Sequence, residues 1–327
     1  MKLFKIAVAV LALALGVETS NAAWTPTVNL QGGTFGTGSN FSGQTVNTFS
    51  VGPTEVNWTE FQTIRTYANG VGGFDLQLSG SGNSATAPVE TINWYDALKW
   101  LNAASIQAGL NPVYNVGTLS VGSLTSSGTV ATAIVPTGHK LSSGSWVRIT
   151  GATPTGYNLT KPVFVVNATT FTYPTVVSGT AAATGTLVAT VLYTSGDVVP
   201  NVDAAANGYR LPTEKEWEWA GSGGSVAGGT LTYSGSNTAS TVAWTRDILA
   251  LGAGAQPVGT KAANAGGLYD MSGNVFEWCF DDSAPLYGRR VRGGAYLNDA
   301  GSSRLMLRGY SDPARQEAGF GFRAFKN

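Results

Sequence analysis

The chain of 327 residues holds a single cysteine, Cys279, and a single histidine, His139. One cysteine excludes an intrachain disulfide and every cysteine-rich metal site. One histidine removes the histidine-based zinc and iron chemistries and most histidine-dependent triads. Charge is scarce too: Asp, Glu, Lys and Arg make up 12% of the residues, with nineteen basic against nineteen acidic. A chain with formal net charge zero carries no electrostatic footprint for nucleic acid or an anionic membrane. No Gly-rich phosphate loop is present. What is plentiful is glycine, at 43 residues, and aromatic side chains at 10%, nine of them Trp. That composition suits a loop-rich, largely β, extracellular protein.

One hydrophobic run stands out, Ile6 to Val17. Lys2 and Lys5 precede it, and the small residues Ser20 and Ala22 follow. This is the pattern of a secretory signal over 1–22, cleaved before Ala23. The run is shorter than the roughly 20 apolar residues that span a bilayer. The expectation is a secreted or cell-surface protein, or a component of a virion surface, without a stable membrane span.

After Ala23 the chain reads as short strands, then two helices. Gly32-Gly-Thr-Phe35 and Val46 to Val51 resemble edge strands. Trp58, Phe61 and Ile64 fall at helical spacing, which predicts a helix over Glu55–Ala68 with Thr54 as its cap and Asn57 in the first turn. A second helix is predicted from Trp94 to Ala108, capped by Asn93 and stopped at Gly109. Thr213-Glu-Lys-Glu216 forms a capping box for a third, short helix. On that helix Glu214 and Glu218 lie four apart on a face expected to be exposed, the wrong setting for an acid/base pair.

The texture changes between 117 and 191. Acidic residues vanish there and period-two alternation recurs in Trp146-Val-Arg-Ile-Thr150, Val163-Phe-Val-Val166, Phe171-Thr-Tyr173 and Thr186-Leu-Val-Ala-Thr190. The segment reads as a small all-β domain set into a loop of the host, which occupies 23–116 and 192–327. The residues Gly138-His-Lys-Leu141, Val147 to Tyr157 and Asn167 to Tyr173 resemble Ig-like repeats of phage tail fibres and bacterial adhesins. An Ig-like sandwich is therefore expected, either as a spacer or as a binding module.

The densest pattern is Asn264-Ala-Gly-Gly-Leu-Tyr-Asp-Met-Ser-Gly-Asn-Val-Phe-Glu-Trp278, two glycine-bearing turns around an apolar–polar alternation. With Tyr209 to Trp219, Arg292-Gly-Gly-Ala-Tyr296, Gly321-Phe-Arg323, Thr54 to Phe61, Asn93-Trp-Tyr-Asp96 and Asn111-Pro-Val-Tyr114, it resembles the formylglycine-generating (sulfatase-modifying) enzyme family. The resemblance implies an α+β, C-type-lectin-like fold over most of the chain. It also implies a calcium ion held by the side chains of Asp270 and Glu277 and the carbonyls of Gly273 and Val275, a hard-oxygen donor set. The family's second calcium site lacks its Asp near Val242-Ala-Trp-Thr245.

In that family two cysteines after the Gly-Gly motif bind copper and oxidise a substrate cysteine. Here the first position falls at Asn298 and the second near Ser302 or Ser303, and no cysteine follows Cys279. Asn and Ser do not make a soft Cu(I) site, so neither copper nor the oxidase chemistry is expected. Cys279, between Trp278 and Phe280, reads as a small buried hydrophobe. No catalytic residue is assigned.

What remains is the segment 295–318, which in C-type-lectin-like folds lines the ligand face. Its candidates are Tyr296, Asn298, Asp299, Arg304, Met306, Tyr310, Asp312, Arg315, Gln316 and Glu317, residue types suited to adaptable binding surfaces. Arg308 and Arg323 are read as framework. Members without the cysteine pair resemble the variable proteins of diversity-generating retroelements. The expected function is non-catalytic binding of a protein or glycan, though the Glu-Pro-Asn and Gln-Pro-Asp tripeptides of sugar-binding lectins are absent. The alternatives are a structural surface or phage-fibre component and, third, an oxidoreductase of the formylglycine-generating type.

Overall fold

Helix α1 (Trp58–Val71) and helix α2 (Trp94–Gln107) form where the apolar spacing places them. The computed structural model describes residues 28–76, 78–282 and 288–327, so the expected signal peptide lies outside the described residues. The start of α1 differs from expectation. Its cap is Asn57, not Thr54: Asn57 accepts from the Glu60 amide at 3.0 Å and Glu60 accepts from the Asn57 amide at 2.9 Å. The residues before it stay extended because the Val56 amide donates to Phe322 and its carbonyl accepts from Val89. A backbone committed to neighbouring segments on both sides cannot also enter a helix. The α1 face that points inward carries Phe61, Ile64 and Ala68.

α2 is the central helix. Asn93 caps it by accepting from the Asp96 amide at 2.7 Å, and nearly every residue from Trp94 to Ser105 is buried. Around it the large indoles find hydrogen-bond partners, as buried Trp N–H groups require. Trp94 donates to the Cys279 carbonyl at 3.0 Å, Trp278 to Ile92 at 2.9 Å and Trp100 to Phe61 at 3.1 Å. Helix α3 (Glu214–Gly221) begins with the expected box between Thr213 and Glu216.

Two small sheets frame these helices. In one, Val28–Leu30, Phe49–Val51, Phe325–Lys326 and Tyr209–Arg210 lie side by side, all antiparallel. In the other the order is Gly309–Ser311, Arg289–Arg292, Phe276–Asp282 and Phe320–Gly321, the last pair parallel. This second sheet brings the 264–278 motif, the Gly-Gly motif and the closing Gly-Phe-Arg together.

Residues 114–192, joined by Asn201–Val202, build two further antiparallel sheets. Ser123–Ser127, Val130–Ile134, Thr170–Pro174 and Phe164–Asn167 form one. Tyr114–Ser120, Val188–Leu192, Trp146–Thr150, Thr160–Pro162 and Asn201–Val202 form the other. Side chains of both sheets share one core that includes Leu124, Ala133, Val147, Ile149, Phe171 and Ala189. His139 is buried beside it, its ring edge-on to Phe171 and its Nδ1 accepting from the Leu141 amide at 3.1 Å. The expected limits at 117 and 191 fall inside paired strands. Tyr114 packs in the core around α2 while Leu119, on the same strand, packs against the 114–192 core. The whole is a mixture of helix and sheet, mostly sheet. No described helix is long and apolar enough to cross a membrane.

Candidate functional site

Around the 264–278 loop the backbone geometry is set by a few special positions. Asp270 and Asn274 adopt positive φ of 57° and 60°, a region Asn and Asp tolerate better than other side chains. Between them Gly273 has φ 79°, and a Cβ there would lie 2.4 Å from the Trp244 carbonyl oxygen. The loop is thus pressed against 244 and held in one shape. Asn274 fixes the next turn by accepting from the Gln256 amide at 2.9 Å and donating to its carbonyl at 3.2 Å.

Glu277 and Arg323 form a fully buried pair at 2.8 Å. Arg323 also donates to the carbonyls of Gly52 and Tyr269 at 2.9 and 2.7 Å, and Trp217 donates to Glu277 at 2.8 Å. The Glu277 carboxylate therefore already receives an indole and a guanidinium. Nearby, Asp270 accepts from the Gly259 amide at 2.6 Å through Oδ2, while its Oδ1 and Oε1 of Glu55 are buried without partners. Burial pushes Asp270 up to about 6 and raises Glu55 well above the ordinary carboxylate range, Asp270 adding to the latter.

These facts bear on calcium. Of the four groups expected to hold it, Asp270 presents a free, buried oxygen, but Glu277 has its cation in Arg323. The four-group set does not fit a calcium ion while Arg323 sits on Glu277. Among the described residues no group of three or more His, Cys, Asp or Glu is placed to hold a metal.

α3 joins this centre to a second one. Its Glu214 and Glu218 are not exposed, as the sequence suggested, but buried against Arg292, at 3.1 and 3.0 Å. Arg292 donates also to the Leu305 carbonyl at 2.7 Å and lies over the Trp217 ring. Glu218 accepts from the Ser39 hydroxyl, the Asn40 amide and the Asn40 side chain at 2.6, 3.0 and 2.7 Å, tying in the first loop. Burial alone would raise the Glu214 carboxyl, yet Arg308, Arg292 and Arg290 hold it below its ordinary range. A carboxylate kept ionised among three arginines is a structural hub, not a proton donor or acceptor.

Between the buried Arg292 and the buried Arg323 runs the expected ligand segment. Asp299, Arg304, Tyr310, Asp312, Arg315, Gln316 and Glu317 are exposed, as are Leu297 and Leu307, which sequence reasoning passed over. Three candidates behave otherwise. Tyr296 is buried, donates to Glu90 at 3.3 Å and has its hydroxyl pushed up to about 12 by burial. Met306 is half-buried against the core that holds Trp217 and Leu305. Asn298 is half-buried and accepts the Arg246 amide through its carbonyl. Different elements support the two halves of the segment. Asp299 caps a turn at 300–303, and Asp247 accepts the Ala300 amide at 3.1 Å. At the other half Gln316 donates to Asp96 at 3.3 Å, at the start of α2.

The positions where the resemblance would place a cysteine pair carry oxygen. Oδ1 of Asn298 and Oγ of Ser303 are buried without partners. Cys279 is buried on the strand Phe276–Asp282, and burial raises its thiol well above the ordinary value. A thiol so placed is a packing group and not a nucleophile.

Comparison with known proteins agrees with this frame. The family described as sulfatase-modifying factor enzyme 1-like domain matches residues 16–327. The chaperone protein LppX of Paenibacillus barcinonensis is 35% identical over 135 residues, 34% of this chain and 46% of that protein. The chain spans less than half the length of the curated relatives it matches. The solved structure of CarF has a TM-score of 0.59 and 21% identity, covering 91% of this chain and 97% of CarF. That of Treponema denticola variable protein 1 has a TM-score of 0.56 and 22% identity, covering 93% and 97%. At such identities these two structures speak for the fold alone. The family match, which runs over nearly the whole chain, identifies it as a member of the sulfatase-modifying factor enzyme 1-like domain family.

Proposed function

We propose that this chain is a secreted, non-catalytic binding protein that presents the segment 295–318 to a protein or glycan ligand. One observation carries the reading. A largely irregular stretch, rich in exposed Arg, Tyr, Gln, Asp and Glu, is strung between two arginines that are themselves sealed in the core. Such an arrangement separates holding the fold from meeting a ligand, so surface residues can change without disturbing the anchors. Seven of the ten proposed contacts follow the exposed set, from Asp299 to Glu317. Tyr296 and Met306 serve as supports behind it. The single buried cysteine argues against oxidase chemistry of the formylglycine-generating type.

The likeness in fold to a variable protein motivates a sharper form, in which a diversity-generating retroelement rewrites this stretch. The 114–192 sheets would then be an Ig-like module that carries or supplements the binding face. A calcium ion in this loop would rest on Asp270 and the carbonyls of Gly273 and Val275, with Glu277 released from Arg323.

Sequencing the 3′ end and flanking DNA of this gene across sibling isolates tests the retroelement. Substitutions clustered in codons 295–318 at adenines, beside a near-copy template and a reverse transcriptase, are expected. An invariant 3′ end removes the mechanism, and conversion of a cysteine peptide to formylglycine by the purified protein removes the non-catalytic reading.

A structural, fibre-like role has one observation in its favour. The edge strand Phe164–Asn167 leaves Phe164 50% and Val166 56% exposed, an unprotected edge that invites pairing with another chain. Stable oligomers in light scattering, lost on Val166→Lys, would support that role.

A further inference from the structure

A large concavity among the described residues lies away from the segment 295–318, where the host meets the 114–192 sheets. It is a groove of about 1320 Å³ bounded by the outer face of α1, the end of α2 with the turn after it, and the stretch 158–161. We propose that this groove binds a neutral oligosaccharide.

The size calls for an elongated occupant, since small-molecule pockets run to roughly 300–1,000 Å³. The chemistry of the walls narrows it further. Trp58 and Tyr67, both half-buried, supply aromatic surface, Trp146 is buried in the groove wall, and the other polar lining groups are side-chain amides and hydroxyls apart from one ammonium, Lys161. One positive charge and no carboxylate cannot select a polyanion or a polycation. Rings with apolar C–H faces and a rim of hydroxyls match aromatic surface interleaved with amides.

Trp58 is held in place on the groove wall. Its ring stacks with Phe61 at 5.7 Å and 10°, the Arg65 guanidinium lies over it at 5.2 Å, and a Cβ at Gly82 would lie 2.4 Å from it, so only Gly lets the chain pass so close. Trp146 is fixed by its donation to the Gly72 carbonyl at 2.9 Å. Gln107, on the last turn of α2, supplies the demand for a ligand: its Oε1 is buried and has no donor. A buried amide oxygen without a partner costs free energy that a ligand hydroxyl recovers. Of the other lining groups, the hydroxyl of Tyr67, the side-chain carboxamide of Asn111 and the ammonium of Lys161 make no hydrogen bond or ion pair among the described residues.

An extended peptide is the less suitable guest. The strand that borders the groove, Thr160–Pro162, is three residues long and ends in proline, which leaves little backbone for strand addition.

The test uses the full mature chain, intrinsic Trp fluorescence and calorimetry. The probes are neutral hexasaccharides of β-1,4-glucose, α-1,4-glucose and β-1,4-N-acetylglucosamine, with an uncharged Ser/Ala decapeptide beside them. At least one sugar is expected to bind saturably. Gln107→Leu should weaken it about tenfold, the loss of one hydrogen bond, and Trp58→Ala by at least as much. Leu251→Ser, fully exposed and outside both the groove and the segment 295–318, should leave it unchanged. If Trp58→Ala unfolds the chain, Gln107→Leu and Tyr67→Phe decide, since both keep the shape of the site. No saturation by any sugar up to about 10 mM overturns the proposal. So does sugar binding indifferent to Gln107→Leu, or tighter binding of the decapeptide.

Discussion

Arg323 and Arg315 stand eight positions apart in the sequence and do opposite work. Arg323 is sealed, paired with Glu277 and bonded to two backbone carbonyls from distant segments. Arg315 faces solvent, pairs with an equally exposed Glu317 and lies over the Phe320 ring. Desolvation decides the difference. Removing one member of a buried pair leaves the other charge without water or partner, at a cost of about 3–5 kcal/mol, whereas an exposed pair contributes about 0–1 kcal/mol. The fold therefore concentrates its sensitivity in a few anchors and leaves the stretch between them free to vary.

The sharpest way to break this contrast is Arg323→Ala. It should lower unfolding free energy by about 3–5 kcal/mol in urea titration, with Glu277 left charged and buried. A loss below about 1 kcal/mol would place Arg323 with the exposed arginines.

Asp270 gives the next effect and a direction in pH. Its folded value, about 6, lies above the ordinary carboxylate value, so the folded state binds the proton more tightly than the unfolded chain. This contribution favours folding fully below the unfolded value of about 4 and is lost as pH rises through 6. Glu55 shifts in the same sense. Asp270→Asn, which suits the positive φ, should stabilise the protein at pH 7.5 by up to about 3 kcal/mol relative to its effect at pH 4. Scanning Tm against pH for both proteins reads this out. A rise in Tm on adding calcium that Asp270→Asn abolishes would show instead that a cation takes the place of the proton.

Glu218→Gln should cost about 2 kcal/mol, because Arg292 loses one of its two charge partners, keeping Glu214, while the bonds to Ser39 and Asn40 are only partly replaced. Chemical denaturation measures it, and the first loop, 35–44, should lose amide protection together with the rest of that core. The smallest change is expected for Tyr310→Ala, within about 0.5 kcal/mol of the parent, with its effect appearing in ligand capture from an array.

Much of this was legible in the residues. The caps at Asn93 and Thr213 are local side-chain-to-backbone devices, and so readable from a few adjacent letters. The loop 264–278 is likewise local. What was not legible depends on partners far along the chain. Glu218 looks like an exposed helical residue until Arg292, 74 positions later, arrives to cover it. Glu277 takes Arg323, 46 positions later, as its partner, which no local motif announces. The burial of Tyr296 depends in part on Glu90, 206 positions earlier, which accepts from its hydroxyl. The groove beside α1 draws on several separate stretches and no motif announces it.

The measurement that bears most directly on the account is a combinatorial replacement of Arg304, Leu307, Tyr310, Asp312, Arg315, Gln316 and Glu317, with Tm and ligand capture read for each variant. Separation of anchor from display predicts that most variants melt within a few degrees of the parent while their ligand capture diverges. Melting losses across the library as large as that of Arg323→Ala would show that the segment itself holds the fold, and would contradict the account.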